Sequence, residues 1–395
     1  MALTDFKPQF DNAYQEIFQK VLVAKKVASF RFEPILTYGE SLERVAYDID
    51  SVVVRATSRG SASTIDSVTD SAELLLVNLE YEAAFHISDG EVKQAGPLNP
   101  GEVIGGKIAH KVAQHFDGLL FAEVLNAAFA FDTGDLTTLA SNGTGITLSG
   151  TTVPQIVSRA PAKLQSKNQV LSNMVMVIDS YTASAFEEYL MGKDWNLAEA
   201  TYKNGYAGTT GRAEVYISEN LTSTAVLTYA GVNVNTKYVS INGIALTSVT
   251  SIGTTAGNVL VAASVTLAGD YVAGIINDPG TTSATQVALS TANQATFKAL
   301  GLSAVNVAGV VTVTAKGGGT LTLAEDETNA AWTLNTLHCY FGKKGGIDAV
   351  LQDMKDVDMR PTADRRGTNV FSSYLGGIKT FTDGSKKFLD LKIAK

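Results

Sequence analysis

Residues 77–87 read Val77-Asn78-Leu79-Glu80-Tyr81-Glu82-Ala83-Ala84-Phe85-His86-Ile87. The odd positions are apolar throughout, while the even ones carry Asn78, Glu80, Glu82 and His86. Side chains of a β-strand alternate between faces, so this period of two marks a long half-buried strand. Upstream, Val45, Tyr47, Ile49 and the run Val52-Val53-Val54 predict a partner strand of similar length. Between them Ser58-Arg59-Gly60-Ser61-Ala62-Ser63-Thr64 is polar and turn-prone. The economical reading is a β-hairpin with arms of about 12 residues, about 40 Å long. An isolated hairpin is marginal in water. One this long must lie on something, and a neighbouring subunit is a natural support.

A long helix is predicted next. Asn99 is a good cap, and Pro100 suits the first turn, where a missing N–H costs nothing. Ile104, Ile108, Val112, Phe116, Leu120 and Val124 recur every four residues, flanked by Leu119, Phe121 and Ala128. A helix of about 28 residues would be about 42 Å long, a spine rather than an ordinary globular helix. On the other side of the hairpin, Phe10, Tyr14, Ile17, Phe18, Val21 and Leu22 fall at helical spacing. The chain from there through Phe30-Arg31-Phe32-Glu33-Pro34 reads as an arm with little core of its own.

Beyond the spine, residues 132–152 read as a Gly/Ser/Thr loop. A helix (Pro154 to Leu164), a buried strand (Met174 to Ile178) and a helix (Thr182 to Leu190) follow, the last capped from Asp179-Ser180. A glycine-rich loop, Gly205 to Gly211, leads into a strand from Ala213 to Ser218. Composition then changes abruptly: the 110 residues from Thr222 to Ala331 carry only eight charged ones, against 18% for the whole chain. Val, Thr, Ala, Gly and Asn dominate there, with strand-like runs at Lys237 to Leu246 and Val310 to Leu323. That contrast predicts an inserted β-rich domain. The chain resumes with Leu334 to Phe341, and Asp383-Gly384 between Gly376–Thr382 and Lys387–Ile393 predicts a closing hairpin.

A chain of 395 residues has room for two or three domains. Its 18% charge lies below the roughly 25% of average globular proteins, which a surface hidden against other copies tolerates. A net charge of −8 argues against a protein that grips nucleic acid, because gripping phosphates needs clustered Lys and Arg. It is compatible with a container that must not stick to its contents. The single cysteine, Cys339, excludes a disulfide within the chain and points to a reducing cytoplasm. Neither a signal-peptide pattern at the N-terminus nor an apolar run long enough to span a membrane is visible.

Candidate chemistry is thin. His110 and His115 are five residues apart, so they do not share a helix face as a zinc pair would, and HExxH is absent. His338 and Cys339 are neighbours in a presumed strand and point to opposite faces, which rules out a catalytic pair built from these two. Asp353, Asp356 and Asp358 read as the wet side of a strand. Gly205-Tyr206-Ala207-Gly208-Thr209-Thr210-Gly211-Arg212 resembles a phosphate loop only superficially. It lacks the GK[ST] ending and runs into a strand, so no helix dipole would face an anion. No catalytic, cofactor or metal site is expected, and an enzyme is the weaker alternative.

Taken in order, an arm, a long two-stranded loop, a spine helix, an α/β domain with a glycine-rich turn and a closing β segment resemble the major capsid proteins of tailed double-stranded DNA bacteriophages. Those proteins share the Hong Kong 97-type fold. Gly211-Arg212-Ala213-Glu214-Val215-Tyr216-Ile217-Ser218-Glu219-Asn220-Leu221 is similar to the family's glycine, strand and S-x-N-L passage. Leu337 to Gln352, with Phe341-Gly342-Lys343-Lys344 before Gly346-Ile347-Asp348-Ala349-Val350, is similar to its next strand and turn. The resemblance covers the chain outside the insert, and the order of elements carries it.

The resemblance implies an α+β fold with a β-rich inserted domain. Residues 1–43 would be the N-terminal arm, 44–95 the extended loop (E-loop), 96–152 the spine helix and peripheral domain, and 153–221 the axial domain. Residues 222–331 would be the inserted surface domain, and 332–395 the axial return with C-terminal peripheral strands. Ser58, Arg59, Gly60, Ser61, Ala62, Ser63 and Thr64 would form the E-loop tip that meets another subunit, and Gly205, Tyr206, Gly208 and Gly211 an axial loop. The insert loosely resembles small domains of flagellins and phage surface proteins, at Ile241-Asn242-Gly243, Ala273-Gly274-Ile275-Ile276-Asn277 and Val313-Thr314-Ala315-Lys316 before Leu321-Thr322-Leu323.

The implied function is self-assembly into hexamers and pentamers of an icosahedral head enclosing DNA, made in the host cytoplasm. A separate scaffolding protein, a portal and a possible decoration protein would be the partners. Some relatives join subunits through an E-loop lysine, but no lysine occurs here between Lys26 and Lys93, so a non-crosslinked shell is expected. A tail-tube, filament or adhesin-type structural protein is the alternative. It would need repeats or coiled-coil heptads, which are not visible.

Overall fold

In the computed structural model, which describes residues 23–48, 52–56, 65–88, 100–191, 206–210, 213–318, 320–361 and 366–395, the predicted apolar ladder forms one buried stripe. Val112, Phe116 and Leu120 are buried on one helix, and Val124 is buried just past its end. That helix has 23 residues and then tightens into a 3-10 turn over Glu123–Asn126. Its length is about 34 Å, shorter than predicted.

The described residues open with a single helical turn, α1 (Ala24–Val27), and the strands β1 (Ser41–Asp48), β2 (Thr69–Leu76) and β3 (Leu79–Ser88). The long helix α2 (Pro100–Ala122) precedes β4 (Phe129–Phe131), α3 (Asp135–Thr138), α4 (Thr152–Ser166), β5 (Met174–Ile178), α5 (Ser180–Met191), β6 (Tyr206–Thr210) and β7 (Ala213–Ile217). The charge-poor stretch contains β8 (Ser223–Tyr229), β9 (Tyr238–Ile241), β10 (Ile244–Val249), β11 (Asn258–Leu260), α6 (Val265–Asn277), α7 (Thr291–Ala299), β12 (Leu302–Val307), β13 (Val310–Ala315) and β14 (Leu323–Glu325). Then come β15 (Ala330–Lys343), β16 (Asp348–Pro361), β17 (Gly367–Lys379), α8 (Thr382–Ser385) and β18 (Phe388–Ala394).

The architecture is α+β. Among the described residues the largest sheet has nine strands, in the order β12-β13-β8-β15-β5-β7-β6, with β18 paired to β15 and β4. β5 is buried along its whole length, as its unbroken apolar sequence requires. The body core gathers Phe116, Phe121 and Phe131 with Tyr340 and Phe388. A second apolar cluster is drawn entirely from residues between Ala225 and Ala330, including Phe297, Ile241, Ile275 and Val311. The sheet nevertheless runs through both parts. β15 pairs with β8 over Ala330–Leu337 and with β18 over Thr336–Gly342. The charge-poor stretch is therefore fused to the body by a shared ladder and is not hung from it on a tether.

Three local expectations are corrected. The hairpin partner of β1 is β2, from Ser41↔Leu76 to Asp48↔Thr69, and not the strand at Val77–Ile87. That alternating strand, β3, pairs with β17 in a three-stranded sheet with β16. Alternation reports two unlike faces but carries no information about which strand lies alongside. Asp383-Gly384 is not a hairpin turn either. It lies in α8, which carries the chain from β17 in one sheet to β18 in another. The glycine-rich stretch expected to be a loop is in part a strand: Tyr206–Thr210 pairs antiparallel with β7, at one edge of the large sheet among the described residues. Tyr206, Thr209 and Thr210 favour extended backbone and outweigh the glycines. Gly205 and Gly211 fall outside the described residues, as do Asn99 and the predicted helix at Phe10–Leu22.

Candidate functional site

The pair β1–β2 is a two-stranded sheet by itself among the described residues. Directly opposed residues of an antiparallel pair share a face. One face carries Leu42 opposite Leu75 and Arg44 opposite Glu73; the other carries Ser41 opposite Leu76, Glu43 opposite Leu74 and Val45 opposite Ala72.

The first face is turned to the body. Leu75 is fully buried in a small cluster with Leu36, Val77, Val350 and Phe381. Arg44 donates to Asp383 Oδ1 at 2.8 Å, with its guanidinium 5.3 Å from the Phe381 ring centroid. The hydrogen bond that it donates to Asp383 raises the Arg44 pKa against burial. Burial pushes the Asp383 carboxyl up, but Arg44, with Lys387 and Arg31, holds it below its ordinary value. Glu73 Oε1 accepts the Thr382 backbone N–H at 2.8 Å and also the Thr382 hydroxyl. Val77 N–H donates to the Glu40 carbonyl at 2.9 Å and closes the root. At Gly377 the β17 backbone runs so close beneath Leu76 that a Cβ would stand 2.2 Å from its carbonyl oxygen.

The second face looks away from the molecule. Val45, Leu74 and Leu76 are 48%, 45% and 45% exposed. Beyond the last ladder pair the two strands stay joined: Asp66 accepts the Val53 N–H at 3.0 Å and binds Arg55 through both oxygens at 2.7 and 2.8 Å. The Arg55 hydrogen bond, then that from Val53, lowers the Asp66 pKa. Val52, Val53, Val54, Ile65 and Val68 are exposed there as well. A locked root thus carries a ribbon whose outer side exposes Val45, Leu74 and Leu76 beside Ser41 and Glu43, and an exposed apolar cluster of this kind marks a contact surface. The predicted tip residues Ser58–Thr64 lie outside the described residues.

Polar clusters elsewhere are inward-looking. Asp390, His338 and Thr224 line up as acid, imidazole and hydroxyl, with 2.8 Å from His338 Nδ1 to Asp390 Oδ2 and 2.7 Å from Nε2 to Thr224 Oγ1. Thr224 lies within ladders to both β13 and β15, however, so the adjacent amides are engaged in the sheet and do not form an oxyanion hole. Cys339, on the opposite face, is buried, and burial drives its thiol pKa up. Lys163 Nζ sits 2.5 Å from Asp135 and 2.6 Å from Ser141 Oγ, while Asp132 accepts the N–H groups of Gly134, Asn142 and Gly143. These two aspartates order the loop after β4. His115 is bonded to the Tyr374 hydroxyl at 2.8 Å, and burial lowers its pKa.

A groove of ≈ 660 Å³ lies between Thr147, Tyr181, Glu219 and Lys395, but its ionic groups are paired within the chain, Lys395 to Asp179 and Glu219 to the Ser180 N–H. Among the described residues, no group of three or more His, Cys, Asp or Glu is placed to hold a metal, and no helix is long and apolar enough to cross a membrane. Sequence reading missed the His338 and Lys163 networks, whose partners lie far along the chain. It also missed that the outward face of the hairpin leaves Val45, Leu74 and Leu76 exposed.

No family model and no curated protein matches the chain. Among solved structures it is similar to a chain from Mycobacterium phage Che8, at 11% identity over 92% of this chain and 88% of that one, with a TM-score of 0.48. The capsid of the cyanophage P-SCSP1u is similar at 10% identity over 90% and 84%, TM-score 0.44. A virus-like particle from Pyrococcus furiosus is similar at 9% identity over 97% and 98%, TM-score 0.43.

Proposed function

We propose that this chain is the repeating subunit of an icosahedral shell, the major capsid protein of a tailed double-stranded DNA phage with the Hong Kong 97-type fold. The observation that carries the reading is the ribbon β1–β2. Its root is locked by Leu75, Arg44 and Glu73, while Val45, Leu74 and Leu76 face outward. Apolar surface left in water costs about 25 cal/mol per Å². Laid across a second copy, that face recovers the cost, and the locked root fixes the direction in which the neighbour is reached.

Contacts of this kind are heterologous and close into rings, here hexamers and pentamers. Many modest contacts made together give a firm lattice. In this reading Ser58–Thr64 seat the ribbon on the neighbour, Gly205, Tyr206, Gly208 and Gly211 lie near the capsomer centre, and residues 222–331 face outward. A separate scaffolding protein and a portal act during assembly, with a decoration protein as a further partner. DNA is enclosed without being gripped, in keeping with the net charge of −8. The role is structural, without catalysis or cofactor, and the shell is not covalently crosslinked, so boiling in detergent should return monomers and no ladder.

The test is electron microscopy of the protein co-expressed with its scaffold, as wild type and as the double variant Val45→Glu with Leu74→Glu. Wild type should give closed shells, and the variant dispersed particles with an unchanged circular-dichroism spectrum. Fibres from wild type would favour the tail-tube or filament reading, and wild-type shell yields from the variant would remove the ribbon from assembly.

A further inference from the structure

Asp117 on α2 is fully buried. Its Oδ1 accepts the Ala24 N–H at 3.1 Å, its Oδ2 accepts the Val23 N–H at 3.2 Å, and the side chain of Asn220 is hydrogen-bonded to it. The next residue, Gly118, abuts the turn after β13: a Cβ there would stand 2.8 Å from the Lys316 carbonyl oxygen. The start of α1, the middle of the long helix and the base of the charge-poor stretch therefore close around a single carboxyl.

Burial pushes this carboxyl up to about 7, against the pull of the bonds from Ala24, Val23 and Asn220. The charged groups on the surrounding elements are otherwise disposed. Lys25 and Lys26 on α1, Lys111 on α2 and Lys316 are exposed. His115 is bonded to Tyr374, Glu123 to the Thr380 N–H and Glu219 to the Ser180 N–H.

Both protonation states of Asp117 have a hydrogen-bonding solution. Ionised, it accepts from both backbone amides and from the Asn220 amide. Neutral, it donates its O–H to Asn220 Oδ1 after that amide turns over, and still accepts from the backbone. What differs is a buried charge, which is costly away from water. Its cheapest relief is hydration, and among the described residues the smallest element covering it is the single turn α1.

We infer that Asp117 is a proton-operated latch: neutral, it clasps the segment Val23–Ala28 to α2 and to Asn220, and on ionisation that segment loosens. The carboxyl binds its proton more readily in the folded chain than in the unfolded one. Folded stability therefore falls as pH rises from 3.8 to about 7, and levels off above. The inference stands whether or not the chain builds a shell.

The test is hydrogen exchange of the Val23–Ala28 amides in the full chain at pH 6 and pH 8.5, corrected for the intrinsic pH dependence of exchange. Wild type should open more at the higher pH, by about tenfold for one group with a folded pKa of about 7. Asp117→Asn, which keeps the shape and loses the charge, should show a change of less than about two-fold, while His115→Gln should behave as wild type. Equal opening of wild type at both pH values, or the wild-type response in Asp117→Asn, overturns the latch. If Asp117→Asn does not fold, infrared spectra of wild type decide. The band of a protonated buried carboxyl should be present at pH 6 and gone at pH 8.5, and its absence at pH 6 overturns the latch.

Discussion

His338 on β15 and Asp390 on β18 face each other across neighbouring strands with 2.8 Å between Nδ1 and Oδ2, and both are more than nine-tenths buried. Through Thr224 the same ring reaches β8, so one imidazole joins the body of the sheet to the charge-poor stretch. Replacing His338 by Phe leaves Asp390 as a buried acceptor without its donor, and should cost about 2–4 kcal/mol. Thr224→Val should cost only about 1 kcal/mol. Urea denaturation distinguishes them, and equal small losses would show that the ring is not the joint.

Lys163 and Asp135 form an almost fully buried ion pair, 5% and 0% exposed at their side chains. Lys163→Met strands the Asp135 charge in the core and should destabilise the protein by about 3–5 kcal/mol. The measurement is the denaturation midpoint. A loss below about 1 kcal/mol would mean that water reaches Asp135 in the variant.

Gly377 lets β17 pass directly beneath the ribbon root at Leu76. Gly377→Ala must push Leu76 and Val77 outward, with an overpacking cost of about 1–3 kcal/mol. Because the ribbon is a lever, a small tilt at the root displaces its far end much more. Shell yield should therefore fall further than stability does, and the two measured together separate tilt from unfolding.

Acid should loosen the same root. The Asp383 carboxyl is held below its ordinary 3.8. A depressed carboxylate contributes stability above that value, lost as pH falls through the lower folded pKa. The pair is well exposed, so its worth is only a few tenths of a kcal/mol. Amide exchange in Ser41–Asp48 and Thr69–Leu76 should rise below pH 3.8 in wild type, with less pH dependence in Asp383→Asn.

Much of the local structure was legible. The four-residue spacing of Val112, Phe116, Leu120 and Val124, the apolar run Met174–Ile178 and the alternation from Leu79 to Phe85 each declare an element, because those patterns follow from the geometry of one segment. The abrupt loss of charge at Thr222 likewise marks a stretch with an apolar cluster of its own. Partnership was not legible. Glu80 and Glu82 mark the wet side of a strand, yet nothing near them points to β17, almost 300 residues later. Asp117, Asp132 and Asp135 look like ordinary solvated carboxylates in the sequence and are all fully buried.

By itself the sequence determined the elements with a clear period, such as the long helix and β3, and that each has an apolar face needing cover, since 3.6- and 2-residue periods are set by backbone geometry alone. The tertiary structure decided which face of the hairpin was covered. Leu75 found Phe381 and Val350 in the body, whereas Val45, Leu74 and Leu76 found no such cover within the described chain. That choice rests on contacts between residues hundreds of positions apart, where burial is settled by the whole fold and not by any local pattern.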